Sequence, residues 1–218
     1  MRQLMMASVA VEKFILLLGF AGQAMFGART IAQWIHSERE GRVTSPTIFW
    51  VLSTIGSLLF LTYGLIRSDV VIILGQSISF YIYIRNLQLK GAWSHLPVPA
   101  KVPLFVAPLL IVFAFSMLTD FDLGKLAYST DLNLFLVLGI AGQLMLNFRY
   151  FYQWYFSEKA KESILPLGFW VISALASVLV VIYAINRPDI VLLVAQAGGL
   201  VAYLRNIFIH LKERKGHG

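Results

Sequence analysis

The chain has 218 residues, of which 58% are hydrophobic and only 13% are charged. Its mean hydropathy of +0.74 excludes an ordinary soluble domain and indicates a membrane protein. The chain contains no cysteine, which excludes disulfides, thiolate metal sites and cysteine nucleophiles. The net charge of +7 is informative only through its distribution over the loops.

Seven apolar stretches are long enough, or nearly so, to cross a hydrocarbon core that needs about 20 residues. They run over 13–35, 47–66, 69–89, 102–119, 132–156, 167–186 and 189–211. The first stretch resembles a signal peptide, but its counterpart in the middle of the chain carries the same motif, so it is expected to be a retained helix. The sequence therefore predicts an all-α, polytopic membrane protein with seven transmembrane helices.

The chain contains an internal repeat. Residues 14–90 align with residues 134–210 without a gap, and the residues that match include many polar ones. Polar side chains cost free energy in a bilayer and are kept there mostly for packing or function. A duplicated unit that keeps its polar residues in both copies is therefore the main clue to function.

Two tandem units of three helices would be inverted relative to each other unless a further helix restored the direction of the chain. The stretch 102–119, which matches no other part of the chain, supplies that helix. The proline-rich stretch before it is expected to be a stiff connector: Pro97, Pro99 and Pro103. We therefore predict a 3+1+3 arrangement of two parallel triple-helix repeats. The predicted domains are a first repeat at 11–92, a linker with its inversion-linker helix at 93–130, and a second repeat at 131–212.

The distribution of lysine and arginine predicts that the N-terminus is outside and the C-terminus inside. In that orientation the inner segments hold most of the basic residues, Arg39, Arg42, Lys90, Lys101, Lys159, Lys161, Lys212, Arg214 and Lys215. The outer loops hold only Arg67, Lys125 and Arg187, beside an acidic loop at 120–131. Arg2 and Lys13 argue mildly for the opposite orientation.

The first helix of each repeat carries an arginine at the same position, Arg29 and Arg149. Such an arginine can snorkel to the interface or hold a ligand. The predicted spans contain no carboxylate except at their membrane edges, and a cation without a buried partner favours an anionic ligand such as a phosphate or a carboxylate. The same helices carry glycines for which close packing is favoured over a hinge: Gly19, Gly22, Gly139 and Gly142.

The second helix of each repeat carries a tryptophan, Trp50 and Trp170. The favoured interpretation places these residues in an aromatic belt near the membrane interface. The alternative is a stacking floor for a sugar ring.

The third helix carries a polar stripe at helical spacing. The stripe consists of Gln76, Ser79, Tyr83 and Asn86, repeated as Gln196, Gly199, Tyr203 and Asn206. Such a stripe would be unsatisfied against lipid, so it must face protein or a wet cavity. A polar pathway is favoured over contact between helices.

The neighbouring charged residues have simpler interpretations. Arg85 and Arg205 point away from the polar stripe and are expected to anchor the inner side of the membrane, with contact to a lipid headgroup as the alternative. The pairs Arg67–Asp69 and Arg187–Asp189 are expected to form local salt bridges between the second and third helices of each repeat.

Catalysis has no visible basis in this sequence. The four histidines have no metal-ligand spacing, and the chain has no serine elbow, no phosphate-binding glycine loop and no pair of intramembrane carboxylates. The sequence therefore predicts no enzyme, no metal, no cofactor and no nucleic-acid partner. The lack of a buried acid also argues against proton or sodium coupling.

The repeated motifs resemble a known family. The run LGxxGQxxFxxRxxxQWxxSE, followed by PxxFW, YGLIRSD, GQ and YIRN, resembles the lipid A biosynthesis N-terminal domain, here present twice. The resemblance implies an association with lipid-A-disaccharide synthases, a relation to the PQ-loop and SWEET sugar carriers, and a bacterial inner membrane. Gln33 and Gln153 stand where a Pro-Gln pair would be, but Ala32 and Tyr152 take the place of the proline. That departure puts a proline hinge in doubt, and the four glycines are the alternative source of flexibility.

We predict a membrane carrier or flippase of SWEET-like architecture that moves a lipid-linked or anionic saccharide by alternating access, down a gradient. The alternative is a non-transporting membrane partner that presents lipid substrate to a glycosyltransferase and docks through loops 36–45 and 157–165. A membrane enzyme acting on lipid phosphate is the weakest hypothesis. The candidate substrate-binding residues are Arg29, Arg149, Gln33, Gln153, Trp50, Trp170, Gln76, Gln196, Tyr83, Tyr203, Asn86 and Asn206.

Overall fold

A computed structural model describes residues 2–67, 70–119, 134–186 and 190–216. Within these residues the chain forms seven α-helices and no strand, which confirms the predicted all-α class. The helices are α1 Arg2–Glu40, α2 Thr47–Ile66, α3 Val70–Leu89, α4 Val98–Leu118, α5 Leu134–Ala160, α6 Leu167–Asn186 and α7 Ile190–Gly216. A short 3₁₀ helix, Ala92–His95, lies between α3 and α4.

Four segments of the described chain are helical, long and apolar enough to cross a membrane: Glu12–Glu40, Thr47–Ile66, Val98–Leu118 and Leu167–Ile185. The structure is therefore compatible with a membrane protein. Seven spans, the 3+1+3 arrangement, the N-out/C-in orientation and the domain bounds stay predictions. The predicted salt bridges of Asp69 and Arg187–Asp189, and the acidic loop 120–131, lie outside the described residues.

Prolines set where two of the helices begin. Pro46 and Pro97 occupy the extended positions before α2 and α4, with φ of −64° and −63°. Pro99 lies in the first turn of α4, where a missing N–H costs little because it has no acceptor within the helix. The expectation that Pro99 and Pro103 belong to a connector is wrong, since both lie inside α4. The 3₁₀ helix is the actual connection to α4.

Each repeat is organised around its middle helix. α2 packs against α1 and α3, and α6 packs in the same way against α5 and α7. The two repeats meet where α1 contacts α7 and where α3 contacts α5. α4 packs on the first repeat, with Ile111, Val112 and Phe115 against the buried Leu61 and Leu65.

The duplicated glycines of α1 and α5 lie against the middle helices. A Cβ atom on Gly142 would come within 2.9 Å of the backbone oxygen of Ala176 in α6. A Cβ on Gly22 would meet the ring of Phe60, and one on Gly139 the ring of Tyr183 at 2.7 Å. These contacts support the packing interpretation, because a larger side chain would push the helices apart.

The main hydrophobic core is aromatic and is shared by the two repeats. Trp50 and Trp170 are 0% and 1% exposed, so the aromatic-belt interpretation is wrong. Trp50 meets Phe49 edge-on at a centroid distance of 4.7 Å, and Trp170 meets Phe169 at 5.0 Å. Packing between repeats buries both indoles in one core with Tyr83, Tyr150 and Tyr203.

Candidate functional site

Two pairs of side-chain amides join the repeats. Gln33 in α1 donates a hydrogen bond of 2.8 Å to Asn206 in α7 and accepts one of 3.1 Å in return. Gln153 in α5 and Asn86 in α3 exchange bonds of 2.8 and 3.0 Å. All four side chains are fully buried. Each pair therefore satisfies most of its own polar atoms while linking the first helix of one repeat to the third helix of the other.

Serines attach these amides to the neighbouring loops. Gln33 also donates to the hydroxyl of Ser37 at 2.8 Å, and Ser37 accepts the backbone N–H of Thr44 at 3.0 Å. Gln153 and Ser157 repeat this arrangement with Ile164. The glutamine thus fixes the loop between the first two helices as well as the opposite repeat.

Two ion pairs lie beside the amide pairs. Arg85 in α3 holds Glu158 in α5, with Nη2 donating to Oε2 at 3.0 Å. Arg205 in α7 holds Glu38 in α1, with the equivalent bond at 2.9 Å. Arg85 and Arg205 therefore join the two repeats, which their interpretation as anchors did not predict. We call these ion pairs and amide pairs together the latch: Gln33, Glu38, Arg205, Asn206, Arg85, Asn86, Gln153 and Glu158.

The tryptophan after each glutamine extends the latch. Trp34 donates its indole N–H to Glu38 at 2.8 Å, and Trp154 donates to Glu158 at 3.3 Å. The Arg85 guanidinium hydrogen-bonds Glu158 and lowers the pKa of that carboxyl from its ordinary 4.5 to about 2. The QWxxSE motif of one repeat thus binds the RN motif of the other, and does so twice.

Arg29 lies about one turn before Gln33 in α1 and is 6% exposed. Its Nη1 donates to Ser53 at 2.8 Å and to the hydroxyl of Tyr83 at 3.2 Å. The guanidinium carbon lies 4.4 Å from the ring centroid of Phe26 and 5.3 Å from that of Phe49. Among the described residues Arg29 makes no ion pair, so aromatic faces and hydroxyls are the groups that hold its charge.

Arg149 repeats this environment in the second repeat. It is also 6% exposed, and its Nη1 donates to Ser173 at 2.9 Å. Its guanidinium carbon lies 5.2 Å from the centroid of Phe169 and 5.4 Å from that of Tyr203. We call Arg29 and Arg149 the arginine pair.

Tyr150 brings the two arginines to one place. Its ring centroid lies 5.4 Å from the guanidinium carbon of Arg29 and 5.0 Å from that of Arg149. Its hydroxyl accepts a bond of 3.4 Å from Arg149, and its ring meets Tyr83 of the first repeat edge-on at 5.0 Å. Two like charges from different repeats therefore share one aromatic ring, with no carboxylate between them among the described residues.

Several buried nitrogen atoms in this part of the core have no hydrogen-bond partner. They are Nε of Arg29 and Arg149 and Nε1 of Trp50 and Trp170. Buried donors are normally satisfied, so each unpaired donor calls for an acceptor. Because guanidinium and indole groups only donate, the acceptor that suits them is a group rich in oxygen or negative charge.

The structure divides the predicted polar stripe into three parts. Asn86 and Asn206 belong to the latch, and Tyr83 binds Arg29. Gln196 accepts a bond of 2.9 Å from Ser177, whereas the buried Oε1 of Gln76 has no partner. The stripe is therefore partly a contact between helices, and Gln76 is its least satisfied member.

Tyr150 was missed by the sequence reasoning, which selected residues that match between the repeats. At the equivalent position the first repeat has Thr30, so Tyr150 is not among the residues that match between the two repeats. The sequence signal for Tyr150 is a difference between the repeats: a large aromatic residue directly follows the arginine in only one of the two copies. Among the described residues no cluster of side chains is suited to a metal.

A family model described as the Lipid A Biosynthesis N-terminal domain matches residues 18–88 and 138–208. The two matched segments hold every latch residue and both members of the arginine pair. No solved structure matches the chain.

Curated relatives extend the comparison to almost the whole chain. A lipid-A-disaccharide synthase of Chlamydia muridarum (strain MoPn / Nigg) is 31% identical over 212 residues, which cover 90% of this chain and 34% of the relative. A protein of the same name from Chlamydia felis (strain Fe/C-56) is 28% identical over 209 residues, covering 91% and 33%. The chain thus spans about a third of the length of the curated relatives it matches.

Proposed function

We propose a function from one premise, which is that this chain belongs to the lipid A biosynthesis N-terminal domain family. Its relatives are named lipid-A-disaccharide synthases, which links the chain to lipid A biosynthesis. We propose that the two repeats form a membrane carrier or flippase for a lipid-linked or otherwise anionic saccharide in that process. Its location is the bacterial inner membrane, and it moves its substrate by alternating access.

The observation that carries this proposal is the arginine pair. Arg29 and Arg149 are buried without an acidic partner among the described residues, and each keeps one unpaired donor. A buried charge is costly unless it is paired. Aromatic rings reduce that cost, and a phosphate or carboxylate oxygen would complete the hydrogen bonding.

Two features support a pathway between the repeats. The arginines come from different repeats and meet in the shared core, so a ligand held by both must lie at the junction. The latch closes the bundle at the α1–α2 and α5–α6 loops, which gives alternating access a set of contacts to break. Gln76, Tyr83 and the paired amides are then lining residues that exchange internal partners for substrate during the cycle.

Movement down a gradient fits the acid content of the core. No aspartate or glutamate is buried among the described residues. Coupling to protons or sodium normally uses a carboxylate within the membrane. We therefore propose transport that does not depend on an ion gradient.

The test is flipping in proteoliposomes with a fluorescent polyprenyl-phosphate sugar and, separately, a fluorescent free sugar. Wild-type protein is expected to make the lipid-linked probe accessible from both leaflets faster than empty liposomes. The Arg29→Gln, Arg149→Gln double variant should lose this acceleration, and the Arg→Lys double variant should keep part of it because the charge remains.

Arg67 offers a matched control because it is an exposed arginine at the end of α2, away from the latch. Arg67→Gln should flip the probe as the wild type does. If folded wild-type protein accelerates the movement of neither probe, the carrier proposal is rejected. Movement of the free sugar alone would reject the lipid-linked substrate and leave a sugar carrier.

A second candidate is a non-transporting partner that presents lipid substrate to a glycosyltransferase. It is favoured by the names of the relatives, in which a matching region makes up about a third of a synthase. Glu38 and Glu158 already bind arginines of the opposite repeat. The exposed charges beside them, such as Lys159 and Glu162, are thus better docking groups than these glutamates.

This candidate is tested by co-purification with a lipid-A-disaccharide synthase expressed in the same cells. Retention of the synthase by wild-type protein, and its loss from a Lys159→Glu, Glu162→Lys variant, would support it. A synthase that is not retained would reject it.

A further inference from the structure

Tyr150 stands between two positive charges at the junction of the repeats. Its ring lies about equally far from both guanidinium groups, at 5.4 and 5.0 Å. An anion in its place would reach both arginines. The side chain thus fills a position from which a single group can contact both members of the arginine pair.

The duplicated fold does not need an aromatic residue at this position. In the first repeat the equivalent residue is Thr30, whose hydroxyl donates to the backbone oxygen of Phe26 in its own helix at 3.0 Å. Thr30 leaves the arginine of its repeat bound to Ser53, as Arg149 is bound to Ser173. The framework around each arginine therefore forms with a small or a large residue beside it.

The hydrogen bond of Tyr150 to Arg149 is long. It measures 3.4 Å, whereas the serine bonds of the arginine pair measure 2.8 and 2.9 Å. Hydrogen bonds weaken with distance, and a charged oxygen bound to an arginine makes a shorter and stronger bond than a neutral hydroxyl. Among the hydrogen bonds that the arginine pair makes to described residues, the one to the Tyr150 hydroxyl is therefore the longest and the weakest.

We infer that Tyr150 occupies the site of a ligand phosphate, and that one phosphate group bridging Arg29 and Arg149 displaces its ring. This inference rests on the proposed function, because it specifies how the same arginine pair takes its anionic ligand. It adds a stoichiometry of one phosphate per chain and assigns Tyr150 as the residue that sets the affinity.

Displacement has a definite cost in this structure. The ring must leave Tyr83 and Phe169, which it meets at centroid distances of 5.0 and 5.5 Å, and must give up its contacts with both arginines. Removing the side chain removes that cost. A smaller residue at position 150 should therefore strengthen binding of phosphate, which is the opposite of the usual effect of truncating a residue in a binding site.

The test uses the 218-residue chain in phosphatidylcholine nanodiscs and calorimetric titration with dihexanoyl phosphatidic acid. Dihexanoyl phosphatidylcholine and inorganic phosphate are the comparison probes, and they distinguish a lipid headgroup from the free ion. The variants are Tyr150→Phe, which keeps the ring, and Tyr150→Thr, which copies the first repeat. Binding of one phosphatidic acid per chain is expected, with about twofold to fivefold tighter binding for Tyr150→Phe and tenfold or more for Tyr150→Thr.

A second measurement follows the ring itself and does not depend on the stability of a truncated variant. 3-Fluorotyrosine incorporated at position 150 should change its ¹⁹F chemical shift on addition of phosphatidic acid. An unchanged shift at saturating probe, two phosphates per chain, or Tyr150 variants that bind no more tightly than wild type would each overturn the inference.

The Arg29→Gln, Arg149→Gln variant separates this inference from the proposed function. If that variant loses binding while the Tyr150 variants match wild type, the arginine site stands and the role of Tyr150 falls. If it binds and flips as wild type does, the proposed function fails, and the inference fails with it.

Discussion

Gln33 and Asn206 lie 173 residues apart in the chain, yet their side-chain amides face each other with two hydrogen bonds. Gln153 and Asn86 form the same pair on the other side of the junction. The two copies of the repeat therefore close against each other through reciprocal contacts. Four consequences of these contacts and of the packing around them can be measured.

The first concerns the amide pairs. Gln33→Ala leaves the buried amide of Asn206 without its partner, so we expect a loss of about 1–3 kcal/mol in the free energy of unfolding. Asn206→Ala should act similarly, and the double variant should cost less than the sum, because the second change removes a group that is already unpaired. Denaturation in mixed micelles measures these values.

The matched control combines Gln33→Ala with Asn86→Ala, which remove one residue from each of the two pairs. These changes should be nearly additive. An interaction energy between Gln33→Ala and Asn86→Ala as large as that between Gln33→Ala and Asn206→Ala would contradict a specific pairing of Gln33 with Asn206.

The second prediction concerns how the stability of the folded chain depends on pH. The carboxyl of Glu158 has a pKa of about 2 in the folded chain against an ordinary 4.5, because Arg85 binds its ionised form. As pH falls, the unfolded state takes up this proton first. The stabilisation is therefore complete above about pH 4.5 and is lost towards pH 2. In thermal unfolding, the wild type should have a higher melting temperature than Glu158→Gln at pH 7. The difference between the two melting temperatures should be smaller at pH 3.

The size of this effect should be small, less than about 1 kcal/mol, because the pair is partly solvated. Glu162→Gln is the control, since Glu162 makes no ion pair among the described residues. A difference between wild type and Glu158→Gln that does not change with pH would contradict the prediction.

The third concerns a close contact between α5 and α6. Gly142→Ala would place a methyl group 2.9 Å from the backbone oxygen of Ala176, which cannot turn aside as a side chain could. We expect a loss of about 1–3 kcal/mol in stability. Gly27→Ala, whose methyl group would meet nothing within 4 Å, should instead stabilise by about 0.5–1 kcal/mol. Melting temperatures of the two variants that shift in the same direction would refute the contrast.

The fourth compares two tryptophans. Trp50 has a buried indole N–H with no partner, so Trp50→Phe removes an unpaired donor along with some packing. We expect a stability change within about 1 kcal/mol, far below the usual 3–5 kcal/mol for truncating a buried aromatic residue to alanine. Trp34→Phe removes a donor that binds Glu38 and should weaken the latch. Glu38→Gln should therefore lower the free energy of unfolding by less in the Trp34→Phe variant than in the wild type. A loss of stability of several kcal/mol in Trp50→Phe would contradict this expectation.

The sequence was sufficient for the helices and the family because both depend on local patterns. Apolar length and helical spacing place Arg29 and Gln33 on one face of α1, and the structure buries both. Periodicity gives the face of a helix but not its neighbour. It could therefore not show that Gln33 meets Asn206, or that Arg85 meets Glu158.

Two errors have physical causes. Trp50 lies near the start of α2, where an interfacial position is common, but packing between the repeats covers it completely. The proline-rich stretch predicts a connector, but Pro99 lies in the first turn of α4, where a helix tolerates proline because the missing N–H has no acceptor. Pro103 lies inside the same helix, and nothing in the structure explains its position. The first error thus reflects tertiary packing, whereas the position of Pro99 reflects the local chemistry of a helix N-terminus.

The pairing of α1 with α7 also affects how the chain is made. α1 is synthesised first, and its Gln33 has to wait for Asn206 in the last helix, 173 residues later. Until then the amide of Gln33 and the carboxylate of Glu38 lack Asn206 and Arg205, their partners in α7. Synthesis of α7 is therefore the step that completes a junction begun by α1. Premature termination before Arg205 would leave Gln33 and Glu38 without these partners, although the α3–α5 half of the junction would still close.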